Sequence, residues 1–386
     1  MHSPPAVILG GLGASLSVTR SLARHGVAVH VLGEPSSLVR ASRLPAEFVD
    51  CGPGAEVQER WRHWLAARRA EGAVVLPAGD DGVEFISRNR AWLEGLDYLP
   101  IEANDDVALG LLDKQRTFEL AQLAGIEAPP TIAVSSVADA PAVAEQVGFP
   151  CAVKPLHSHR FARHYPVKLF MAADAEELDA ILTHTSARGL EMLATAVVPG
   201  GDDQYCAYYT YVDADGEPLF HFTKRKLRQY PVHFGLGTYF VTDHNPEVQE
   251  LGLRFCRETG LRGLANFEFK RDPGDGRLKL IEVNHRFTAV NEIVRRAGID
   301  IAALTYDHLA GRAVERLPGY RAGVRLWSPL EDLRAYREYR HDGELSAVAW
   351  LRSLLHRKHQ FFFDRRDPGP TLLSFRRKLN RHLSIG

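Results

Sequence analysis

The sequence predicts an α/β protein assembled from two kinds of sheet. Three observations carry this: a strand, glycine turn, helix and second strand over residues 7–32; a further strand-to-helix step at 73–86; and an alternating hairpin between 264 and 284. The first two are βα units of the sort that build a parallel sheet, whereas the third is antiparallel.

Taken in order, Val7-Ile8-Leu9 is a short apolar run followed by Gly10-Gly11-Leu12-Gly13, a helical stretch to Arg24, then Gly26 and Val27–Leu32. Glycines let the chain turn tightly at a strand end, and the helix that follows aims free N–H groups at any anion placed there. A dinucleotide fingerprint would need a small residue where Leu16 stands, which argues against a nicotinamide site and an oxidoreductase. Ala73–Pro77 is a further strand, and Gly79-Asp80-Asp81 at its end either caps the next helix or faces a substrate amine.

Asp113 reads as the cap of a helix that begins at Lys114 and ends before Gly125. A strand at Cys151–Val153 then delivers Lys154, followed by Pro155. A lysine at the end of a buried run must reach water or a counter-anion, because an unpaired ammonium is costly to bury. Residues 191–198 form another apolar strand, broken by Pro199-Gly200-Gly201 and followed by Asp202 and Asp203. Such a hinge presents backbone C=O and N–H groups, which can pair with a purine edge whatever the side chains are.

In the hairpin, period-two alternation sets Asn266, Glu268 and Lys270 on one face and Phe267 and Phe269 on the other. A turn centred on Asp275 would bring Glu268 opposite Glu282 and Asn266 opposite Asn284. Facing carboxylates destabilise a strand pair unless a cation or proton lies between them. Oxygen donors point to a hard ion, and magnesium, which takes few protein ligands and leaves room for phosphates, suits them best. A solvated hairpin face in another register is the competing reading.

Asp113-Lys114, Val153-Lys154-Pro155, the Val198–Gly201 hinge, Glu268 and Glu282-Val283-Asn284-His285-Arg286 resemble, in order and approximate spacing, the ATP-grasp superfamily. Pro199–Asp203 together with Lys226–Pro231 looks like its predicted carboxylate–amine ligases. The resemblance implies a Rossmann-like pre-ATP-grasp domain at 1–112, an ATP-grasp domain at 113–312 and a helical, basic extension at 313–386. It also implies roles: Lys114 and Lys154 on the ATP phosphates, the backbone from Ala196 to Val198 on adenine, Asp202 or Asp203 near the ribose. Glu268, Glu282 and Asn284 would hold two Mg2+ ions, and Arg286 would steady charge on an acyl phosphate and tetrahedral intermediate. Lys226 and Arg228, from the basic run 224–228, are the expected contacts for the γ-phosphate and the substrate carboxylate.

Two departures from the family pattern stand out: basic residues and histidines fill 156–164 where glycines are usual, and His285 replaces a proline. The implied reaction joins a carboxylate, from an amino acid or peptide-like acid, to an amine with release of ADP. A kinase, a carboxylate–thiol ligase and a non-catalytic nucleotide-binding module would keep most of the same residues.

Composition excludes other classes. With 47 Lys plus Arg against 48 Asp plus Glu, the 386 residues show no nucleic-acid footprint. The four cysteines lie far apart, so neither a zinc knuckle nor a redox dithiol is expected. No secretory leader or spanning segment is read, and a cytoplasmic location is expected. Residues 351–386 hold nine Lys or Arg against two Asp. A docked helix pair is the expectation there, with peripheral membrane contact as the rival; a homodimer is left open.

Overall fold

The computed structural model describes residues 3–383 apart from 55, 69–71, 157–160, 162, 163 and 166, with backbone alone over 378–383. The chain divides into two compact units: residues 1–109, 202–267 and 284–386 form one, and residues 110–201 with 268–283 form the other. The segments expected as separate first and last domains thus share a unit, and the expected middle domain is divided between both.

In the first unit, β1 (Ala6–Leu9), β2 (Val29–Gly33), β3 (Glu47–Asp50), β4 (Val74–Pro77) and β5 (Leu99–Pro100) form a sheet of order β3-β2-β1-β4-β5. Its pairs are parallel, as the βα punctuation requires. β1 and β4 are wholly buried, which is why they read as unbroken apolar runs. Leu16, on the helix Ala14–Arg24, is 1% exposed, part of the core rather than of a ligand turn. The glycine turn serves packing: Gly11 has φ +75°, and a Cβ there would lie 2.3 Å from the carbonyl oxygen of Ala78.

The same unit contributes β10 (Tyr205–Val212), β11 (Pro218–Tyr230) and β12 (Leu236–Asp243), which lie within a sheet of order β14-β13-β10-β11-β12-β15-β16. Here β13 is Gly263–Arg271, β14 Leu278–Asn284, β15 Arg325–Trp327 and β16 His359–Gln360. The hairpin β13–β14 forms as the alternation predicts; its base belongs to the first unit and residues 268–283 to the second. The extension is helical at Pro329–His341, Ala347–Leu354 and Gly369–Leu383, but β15 pairs with β12 and β16 with β15, so it is not helical throughout. The sheet edge at β12 offers unpaired backbone, and these short strands satisfy it.

In the second unit, β6 (Thr131–Val134), β7 (Cys151–Pro155), β8 (Phe170–Ala172) and β9 (Met192–Ala196) form an antiparallel sheet of order β6-β9-β7-β8. Its core is Val143, Cys151, Val153, Leu178, Met192 and Ala194 with their neighbours. The hairpin tip joins this unit through Leu280 N–H, which donates to Glu127 O at 2.7 Å, and through Lys279 and Arg277, both paired with the Glu127 carboxylate. All four cysteines are free and buried, and burial raises the Cys256 thiol pKa to about 12, which leaves it inert. No helix among the described residues is long and apolar enough to cross a membrane.

Candidate active site

The second unit carries a cationic cluster. Asp113 caps the helix Lys114–Leu123, its carboxylate accepting from Gln115 N–H at 2.7 Å and Arg116 N–H at 3.1 Å, and so fixes Lys114 at the first helical position. Lys154 stands on β7 opposite Leu193 of β9. Burial, and next the charge of Lys114, push the Lys154 ammonium below its ordinary pKa, while Glu282 acts the other way. Two lysines that repel each other beside one carboxylate form a place where an added polyanion relieves electrostatic cost.

Glu268 is half-buried and Glu282 exposed, on neighbouring strands of one sheet. No group of three or more His, Cys, Asp or Glu among the described residues could hold a metal ion, and the donors expected for one, the Glu268 and Glu282 carboxylates and the Asn284 amide, are all oxygens. An all-oxygen set of that size fits magnesium, which fills its other positions with water and phosphate.

Lys270 was placed by sequence on the acidic face, without a role. It is 6% exposed and its Nζ donates to Val198 O at 2.8 Å. Ala196 N–H donates to Pro130 O at 2.9 Å. Two hinge groups proposed for adenine therefore already have internal partners, and Lys270 fixes the hinge from the hairpin. Its signal in the sequence was a charged residue inside an otherwise buried strand end, legible only once the hinge is known to pass there.

On the first unit, Asn284 is 9% exposed and His285 6%. Burial drives the His285 imidazole pKa down to about 4, so it is a neutral packing group in the position where proline is usual. The Arg286 guanidinium meets Asp80 with Nε 2.5 Å from Oδ1, and Arg286 O accepts from the Tyr209 hydroxyl at 3.2 Å. Asp80, the first residue of the helix Asp80–Glu94, makes no side-chain cap there and instead positions the arginine.

The basic run on β11 separates into distinct fates. Lys224 is 2% exposed and donates to Asn266 Oδ1 at 3.1 Å, a buried cation the sequence did not single out. Lys226 lies 4.0 Å from the Tyr205 ring centroid and donates to Gln229 Oε1 at 3.2 Å. The ladder with β12 is irregular between Lys226 and Arg228, a bulge that breaks the alternation there. Arg228 consequently turns inward: Nε and Nη2 grip Asp332 at 2.7 and 2.9 Å, with Ser353 Oγ at 3.1 Å. Its expected contact with substrate is corrected to a structural one, because the fork is already occupied in a site 8% exposed.

Asp202 is corrected likewise. It is 3% exposed and accepts from Gln229 Nε2 at 2.8 Å, His233 N–H at 2.9 Å and the Tyr339 hydroxyl, so it is a buried internal acceptor rather than an open ribose contact. Asp203 beside it is exposed. The histidine and arginine run after Leu156 lies mostly outside the described residues.

Because Arg228 and Asp332 bury opposite charges together, removal of one strands the other. Asp332→Ala is expected to lower stability by about 3–5 kcal/mol. Urea unfolding checks this, and Arg228→Met added to Asp332→Ala should recover part of the loss.

No protein-family model matches the chain. It is 26% identical over 296 residues to a D-aspartate ligase of Enterococcus faecium (strain Aus0004), covering 72% of this chain and 68% of that protein. It is 27% identical over 286 residues to a D-alanine–D-alanine ligase of Ectopseudomonas mendocina (strain ymp), covering 70% and 86%. Among solved structures, the biotin carboxylase domain of 2-oxoglutarate carboxylase from Hydrogenobacter thermophilus, crystallised with MgADP, superposes with TM-score 0.64 at 18% identity, covering 84% and 74%. The likeness in structure gives the fold, and in sequence the chain is similar to two proteins named as amino-acid ligases.

Proposed function

We propose that the chain couples an amino acid, through its carboxylate, to the amine of an amino acid or peptide at the expense of ATP. The observation that carries this is the lysine pair: Lys154, desolvated and pressed by Lys114 next to Glu282, is arranged for a polyphosphate. Both sequence relatives are named as amino-acid ligases, which supports the substrate class.

In this reading the substrate carboxylate oxygen attacks the γ-phosphorus of ATP, the bond to the β-phosphate oxygen breaks, and ADP departs. The amine nitrogen then attacks the acyl carbon, phosphate leaves with the bonding electrons, and the amine loses a proton to give the amide. No side chain becomes covalently attached; the protein supplies position and charge. Lys114 and Lys154 neutralise transferring phosphoryl oxygens, and Lys270 holds the hinge against which adenine rests. Arg286, steadied by Asp80, faces charge that develops on the acyl group. Lys226 is the remaining basic candidate for the substrate carboxylate, and Asp203 for the ribose. Glu268, Glu282 and Asn284 would hold magnesium, which supplies neutralisation of the nucleotide's phosphates.

The test is ATP turnover with magnesium, a panel of amino acids and hydroxylamine. ADP with an amino-acid-dependent hydroxamate is the expected outcome and names the donor. ADP without hydroxamate moves the chemistry to phosphorylation of another group, and AMP overturns phosphoryl transfer to the carboxylate.

Lys270→Met tests the hinge. Loss of one buried charged hydrogen bond should raise KM for ATP about tenfold with kcat largely retained. A lowered kcat at unchanged KM would place Lys270 elsewhere in the cycle.

A further inference from the structure

The first unit contains a cavity of about 720 Å³, seven of whose eleven lining residues are Arg or Lys, and nothing in the proposed ligase reaction uses it. Its walls come from three separate stretches of chain: Arg24 at the end of one helix, Arg295 and Arg296 on the helix Asn291–Ala297, and Arg357, Arg365 and Arg366 in the extension. Lys358 and His359 also line it, and Asp364 is the one acid among the lining residues.

The arrangement is built rather than a loose charge run. Arg20 Nε bonds Asp367 Oδ2 at 2.8 Å and its Nη2 bonds Asp367 O at 2.7 Å. Asp367 is 1% exposed and also accepts from Ser42 Oγ at 2.9 Å. This buried knot fastens the extension to the first helix and so holds the arginines in place.

Internal pairing neutralises only part of the charge. Asp364 engages Arg24, and Glu292 bridges Arg295 at 2.8 Å and Arg296 at 2.6 Å. Arg357, Arg365 and Arg366 have no carboxylate partner among the described residues. Lys358 spends its protons on the carbonyls of Ser353, Leu354 and His356 at the end of Ala347–Leu354. The cluster is electrostatically strained: burial first, then Arg295, lowers the Arg24 pKa, and burial first, then Arg296 and Arg357, lowers that of His359.

We propose that this cavity is a second ligand site, for a molecule bearing two or more linked phosphoryl groups, distinct from the lysines assigned to ATP. Six of the seven cations are arginines, whose planar forks take phosphate oxygens two at a time. A single carboxylate would leave most of the charge unanswered, and one phosphate would fill a small part of the volume. A di- or triphosphate answers both, whether it belongs to a soluble metabolite or to a lipid headgroup. Phe363, 47% exposed at the rim, gives the organic part of such a ligand an apolar surface.

The experiment uses the full chain with its nucleotide site filled by a non-hydrolysable ATP analogue and magnesium, titrated calorimetrically with inorganic tripolyphosphate. Saturable binding is expected, weakened at least about 100-fold in the triple variant Arg357→Glu, Arg365→Glu, Arg366→Glu, with affinity for the analogue unchanged. These side chains are exposed, so an unchanged Tm without ligand verifies the fold. Sedimentation with vesicles rich in phosphatidic acid, reversed by tripolyphosphate, assigns the phosphate to a headgroup; tripolyphosphate binding with no sedimentation assigns it to a soluble molecule. Absence of saturable binding, or equal affinity in the triple variant, overturns the proposal.

Discussion

Glu282→Gln is expected to lower ATP turnover by about 10²–10³-fold while the protein folds and melts as before. The substitution keeps shape and removes one negative charge. That charge is exposed, so the fold gains little from it. Its work is elsewhere: it is the acid that favours the charged form of Lys154, and in the proposed reaction it would share magnesium with Glu268. Loss of it weakens two arrangements at once. Glu127→Gln is the control, since Glu127 meets Arg277 and Lys279 of the same hairpin in an exposed cluster and takes no part in the proposed chemistry. Steady-state ADP release over a magnesium series measures both variants. A near-normal rate for Glu282→Gln, or an equal loss for Glu127→Gln, would sink the assignment. Partial recovery at high magnesium is the expected signature of a weakened ion site.

What could be read in advance follows from the range over which each feature is determined. The β1–helix–β2 step is local: an apolar run, glycines and a helical period specify it within Val7–Leu32, and the parallel sheet follows. The hairpin is local too, because alternation and an Asp- and Gly-rich turn lie side by side. Arg228 fails because a bulge at Leu227 resets which side chains face inward, and no composition rule announces a bulge. Asp202 fails because its partners, Gln229, His233 and Tyr339, arrive from distant parts of the chain. In isolation it is an ordinary turn carboxylate. The unit boundaries were missed for a related reason: the returning strands β15 and β16 are two or three residues long, too short to show a period. The arginine cavity draws on residues 24, 295–296 and 357–366, and only the last stretch showed in the sequence as a basic tail.

Lys154→Met should separate stability from activity in opposite directions. In the free protein Lys154 is a liability, since burial and Lys114 together outweigh the help of Glu282 and hold its ammonium below the usual range. Methionine matches its length and carries no charge to desolvate, so the variant should melt at the same temperature or higher. The ATP phosphates, in contrast, lose a charged donor worth about 1.5–3 kcal/mol, which corresponds to a fall in kcat/KM of roughly 10–100-fold. A residue kept for structure would behave the other way, with Tm lowered and kinetics spared. Thermal melts with and without MgATP make the contrast sharper: nucleotide should raise the Tm of the wild type by more than that of the variant, because ligand stabilisation scales with affinity. If Lys154→Met lowers Tm and keeps kcat/KM, the lysine is a strand-end anchor and the phosphates lie elsewhere. The expected pattern, stability retained and nucleotide affinity lost, is what a cation held under strain for an anionic substrate must show.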